Sequence, residues 1–111
     1  MRKIEFEDVF KALKDLKKGE DYSSSVFDKK SLEFPTTMKE IDFSEAKGNE
    51  LILEFPFINR IDLSNSKIKI LKIIGKVNIL DLSGAKIDLF EKGQLEAVII
   101  DRFKSKIGEE I

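Results

Sequence analysis

Three stretches of the chain carry one pattern: Met38-Lys39-Glu40-Ile41-Asp42-Phe43-Ser44-Glu45-Ala46-Lys47, then Ile58 to Lys67, then Val77 to Lys86. Each reads apolar, two variable, apolar, Asp, apolar, Ser, variable, small, Lys, and the starts lie 20 and then 19 residues apart. Similarity at such a period marks a stacked repeat, because one unit of this length cannot cover its own apolar face. Leu32-Glu33-Phe34-Pro35 recurs as Leu53-Glu54-Phe55-Pro56 ahead of the first two copies. A fourth, weaker copy is read from Leu95, with Val98 and Ile100 as its apolar strand positions and Phe103 in place of the small residue. Its irregularity suits a terminal repeat.

The pairs Ile41 and Phe43, Ile61 and Leu63, and Leu80 and Leu82 are each spaced by two, which puts both side chains on one face of a short strand. The aspartate between them points outward. Stacked in register, the copies form a parallel sheet with strands about 4.8 Å apart and the apolar pairs in continuous ladders. Ala46, Ser66 and Ala85 fall where the chain turns away, and Ile68, Leu71, Ile87 and Phe90 supply a second buried row. Pro35 and Pro56 mark corresponding corners, since proline cannot donate to a ladder. Val26, Phe27, Leu32 and Phe34 read as a degenerate opening coil.

The apolar spacing of Met38, Ile41, Phe43, of Ile58, Ile61, Leu63, Ile68, Leu71, and of Val77, Leu80, Leu82, Ile87, Phe90 resembles a leucine-rich repeat over about residues 38–107. It departs from that family where Ala46, Ser66, Ala85 and Phe103 replace the usual asparagine, and where Gly48 stands in an apolar position. Asp81-Leu82-Ser83-Gly84-Ala85 and Asp62-Leu63-Ser64-Asn65-Ser66 also resemble the unit of pentapeptide-repeat solenoids, although that family keeps small residues where Ile61 and Leu80 stand. Leu80 to Gly84 followed by Ile87-Asp88 is similar to the strand and loop of anti-sigma-factor antagonist (STAS) domains, but Leu89 takes the place of their phosphorylated serine.

Ahead of the repeats, Phe6, Val9, Phe10, Leu13 and Leu16 recur at helical spacing, with acids early, lysines late and Gly19 following. The spacing predicts an amphipathic helix over about 4–19 that caps the first coil. The expected fold is therefore α+β: one domain over 1–111, a short parallel β-solenoid of leucine-rich-repeat-like coils over about 26–107, and an N-terminal capping helix.

The chain has neither histidine nor cysteine. Thiol nucleophiles, zinc sites, disulfides and Ser-His-Asp hydrolysis are thereby excluded. No glycine-rich phosphate loop or dinucleotide fingerprint occurs, and no cofactor or metal is expected. Basic and acidic residues number 20 and 21 and are interleaved, which argues against nonspecific nucleic-acid binding, and no specific nucleic acid is expected as a partner. No uncharged run is long enough to span a membrane and no secretory leader is apparent, so a cytoplasmic protein is expected.

The most informative polar features are two rows. Asp42, Asp62 and Asp81 would stack, each bonding the nearby Ser44, Ser64 or Ser83, or neutralised by Lys47, Lys67 and Lys86, or forming an acidic stripe for a basic partner. These six residues are the candidate partner-binding set. The resemblance implies a non-enzymatic protein-interaction module, with a regulatory switch domain like the anti-sigma antagonists as the alternative.

Overall fold

Each copy of the repeat becomes one coil of a parallel β-solenoid, seen in a computed structural model that describes residues 17–111. The strands are β1 (Lys17–Asp21), β2 (Val26–Glu33), β3 (Met38–Asp42), β4 (Lys47–Asp62), β5 (Lys67–Asp81), β6 (Lys86–Glu91), β7 (Leu95–Asp101) and β8 (Lys106–Glu110). They stack into two parallel ladders. One runs through β1, β3, the second half of β4, the second half of β5, and β7. The other runs through β2, the first half of β4, the first half of β5, β6 and β8. The long strands β4 and β5 serve both ladders, and in β4 the crossing from one to the other is a register shift between Glu54 and Phe57, where Pro56 sits.

The core lies between the ladders. Met38, Ile41, Ile58, Ile61 and Leu80 line one wall, Leu51, Leu53, Leu71, Ile73 and Phe90 the other, and all are fully buried. Phe43, Leu63 and Leu82 close the side where the chain turns. Five turns of the same shape stack there, each with one residue in the left-handed region: Ser24, Glu45, Asn65, Gly84 and Lys104, at φ between 56° and 67°. Backbone bonds tie turn to turn, such as Phe43 N–H to the Asp62 carbonyl at 2.7 Å and Asn65 N–H to the Ser83 carbonyl at 2.8 Å.

The described residues contain no helix, which corrects the α+β class to an all-β solenoid. Lys17 to Gly19, expected to end the helix, instead belong to β1, paired with Met38 to Glu40. The rest of the expected helix lies outside the described residues. Both halves of a coil are strand, so its second half has none of the helical character that many repeat solenoids show. A switch domain of the anti-sigma type needs several helices, and among the described residues the local likeness at Leu80 to Asp88 is not accompanied by that architecture.

The fourth copy needs a second correction. Leu80 pairs with Ile100 and Asp81 with Asp101, so the copy is shifted by two residues from the reading that began at Leu95. Val98 and Ile99 are consequently 77% and 54% exposed, and Arg102 occupies the column of Leu63 and Leu82.

Polar side chains occupy core columns in both outermost described coils. At one end Tyr22 stacks on Phe43 at 4.8 Å, its hydroxyl donates to Glu20, and Lys30 Nζ lies 4.8 Å above its ring. At the other, Arg102 ion-pairs with Glu110, which follows Phe90 in its column, and Lys92 Nζ reaches Glu110 at 2.9 Å. These charges stand where the inner coils are apolar.

Candidate functional site

The aspartate row is built into the turns. Asp42 Oδ1 accepts the Ser44 N–H at 2.8 Å, Asp62 Oδ1 that of Ser64 at 2.9 Å, and Asp81 Oδ1 that of Ser83 at 3.0 Å together with the Ser83 hydroxyl at 2.6 Å. This is a local aspartate turn, in which the carboxylate satisfies a backbone donor two residues on. The row is longer than the sequence reading allowed: Asp21 accepts the Ser23 N–H and Asp101 that of Phe103. Asp101 was legible from its spacing, since Asp101 precedes Lys106 by the same interval that separates Asp42 from Lys47. The two-residue slip in the fourth copy hid it.

Two of the aspartates, Asp62 and Asp81, are neutralised by a residue the sequence reading passed over. Arg60, on the outward face of β4, donates to Asp81 Oδ2 at 2.8 Å and lies 3.7 Å from Asp62. Desolvation, the largest single influence on the Asp81 carboxyl, pushes its pKa up, but the bonds from Ser83 and the Arg60 guanidinium together hold it below the usual aspartate value. Asp21 is lowered in the same direction by its bonds from Ser23.

Lys47, Lys67 and Lys86 take no part in this. They open the second ladder, where they pair in register with one another and with Lys106, a fourth member that the same spacing would have revealed. Each lysine N–H bonds a carbonyl of the preceding coil: Ser25, Ala46, Ser66 and Ala85. The backbone thus fixes the column, and the side chains stand exposed. None of the four has an ion-pair partner among the described residues. Beside them runs an open groove of about 610 Å³, lined by Val26, Phe27, Asp28, Ile68, Lys69 and Asp88 as well as by three of the lysines.

On the first ladder, Ile79 and Ile99 pair in register and face outward next to Val98, a small apolar patch. Among the described residues no group of carboxylates is arranged to hold a metal ion, and no helix is long and apolar enough to cross a membrane. The arrangement offers ordered charge on stiff faces. Comparison with family models gives no match, and comparisons with curated proteins and with solved structures give none either.

Proposed function

We propose that this protein is a non-enzymatic protein-interaction module that binds its partner on a lateral face of the solenoid. The observation that carries the reading is the register of the outward residues. Side chains of one coil recur on the next, giving rows of exposed charge, Lys47 to Lys106 above all, on a surface held by a continuous backbone ladder. A rigid array of this kind costs little ordering on binding, the advantage repeat solenoids bring to recognition. The inward spacing of Ile58, Ile61, Leu63, Ile68 and Leu71 is that of leucine-rich repeats, and the kinship we propose with interaction solenoids of that kind rests on this fold-level analogy. Asp42, Asp62 and Asp81 would set the shape of the turns at the margin of the face, while Lys47, Lys67 and Lys86 would meet the partner.

The test is site-specific photo-crosslinking in a lysate of the native host, with the crosslinker placed in turn on the lysine face, the aspartate margin and the Ile79 face. One polypeptide captured from one face and not from the others is the expected result. Absence of a captured protein from every face would overturn the reading.

A further inference from the structure

We propose that the column Lys47, Lys67, Lys86 and Lys106 is a docking stripe for an extended acidic segment of a partner protein. The proposal rests on the interaction-module reading and names the chemistry of the partner. Like charges directly opposite one another on neighbouring strands destabilise a sheet. This solenoid sets several other lysines against glutamates across adjacent coils: Lys29 and Glu50 at 3.7 Å, Lys72 and Glu91 at 3.8 Å, Lys76 and Glu96 at 3.8 Å. Where it stacks aspartates in register from Asp21 to Asp101, their carboxylates accept turn N–H bonds, with Arg60 beside Asp62 and Asp81. Along the column at the start of the second ladder it does neither. Four lysines stack in register with no carboxylate at ion-pairing distance among the described residues. The repulsion left there is relieved when a row of anionic groups arrives, so the strain favours the bound state.

Dimensions and surroundings select the ligand. At about 4.8 Å per strand the column spans about 14 Å, the length of four to five residues of extended chain at about 3.3 Å each. The adjoining groove mixes apolar Val26, Phe27 and Ile68 with the exposed carboxylates of Asp28 and Asp88. A peptide alternating carboxylates with apolar side chains fits both the stripe and the groove. A single-stranded nucleic acid fits less well, because the groove offers its bases no free aromatic platform: Phe27 is packed edge-on against Phe43 at 6.3 Å.

The probe is a fluorescent synthetic peptide alternating glutamate with leucine, followed by anisotropy against the full chain. It should bind, weaken as salt is raised, and lose about tenfold or more in affinity in the variant Lys67→Gln/Lys86→Gln. That variant should melt no lower than the parent, since it removes like-charge contacts. Lys67→Arg/Lys86→Arg should retain binding, which separates lost charge from lost structure. Lys29→Gln/Lys72→Gln makes the same change in net charge on paired lysines and should keep the affinity. Equal loss in both glutamine variants, or no loss in Lys67→Gln/Lys86→Gln, overturns the stripe. So does tighter binding of an oligothymidylate or of phosphatidylserine vesicles that the same variant abolishes. If crosslinking captures a protein while peptide binding ignores Lys67 and Lys86, the stripe fails and the module reading stands. If no protein is captured from any face, the module reading fails whatever the peptide does.

Discussion

The Phe27 side chain fills the core position that Gly48 leaves empty. The two are paired in register, and a Cβ on Gly48 would collide with the Phe27 ring, which leans across it toward Phe43. In later coils the same column holds Ile68 and Ile87, both buried. The glycine that interrupts the leucine-rich-repeat spacing is thus matched by a large ring one coil earlier.

Gly48→Val should therefore cost about 1–3 kcal/mol as overpacking, although Ile68 and Ile87 are accommodated at the equivalent positions. Combined with Phe27→Ala, the same substitution should recover much of that loss. Urea unfolding of the two single variants and the double variant measures the coupling. Additive effects would show that the ring and the glycine do not share one space.

Leu63 and Leu82 follow one another in the turn-side column and are fully buried. Truncation of either to alanine should cost about 2–5 kcal/mol, because coils fixed by backbone bonds above and below collapse poorly around a cavity. Melting temperatures within a degree or two of the parent would contradict the column.

Ser66 occupies a column shared with Ala46 and Ala85, is fully buried, and its hydroxyl has no protein hydrogen-bond partner. Desolvating an unmatched hydroxyl costs about 1–3 kcal/mol. Ser66→Ala should accordingly raise stability by about 1 kcal/mol, read as a higher urea midpoint with unchanged slope. Ala46→Ser should shift the midpoint the other way.

Acid sensitivity follows from Asp81. Its folded pKa lies below the ordinary value, so it binds a proton more readily when unfolded. The stability it contributes is full well above the unfolded value of about 3.9 and is lost as pH falls through the lowered folded pKa. Asp81→Asn should lower the melting temperature near neutral pH and flatten its fall in acid. Arg60→Gln should act in the same direction by removing the guanidinium that helps to hold Asp81 ionised. Parallel melting curves for parent and Asp81→Asn between neutrality and strong acid would exclude the carboxylate from acid unfolding.

The sequence by itself determined the coil. Two-residue alternation and a period near 20 made Ile41, Phe43, Ile61, Leu63, Leu80 and Leu82 inward residues, and all six are fully buried, because a stacked repeat must bury the same face in every copy. It did not decide register where apolar residues crowd together. Ala97 to Ile100 offered more than one apolar match, and only the backbone ladder joining Leu80 to Ile100 left Val98 and Ile99 outside. Nor did local periodicity decide Lys17 to Asp21, where pairing with Met38 to Asp42 makes strand of residues whose neighbours in sequence repeat at helical spacing. The two charged rows were visible as rows, but their relation was not. A left-handed residue in each turn, Glu45, Asn65 or Gly84, redirects the chain between aspartate and lysine, so that one is drawn into the turn backbone and the other begins a new ladder facing solvent. That separation depends on stacking neighbouring coils, which brings together residues about 20 apart and lies beyond the reach of any pattern within a single repeat.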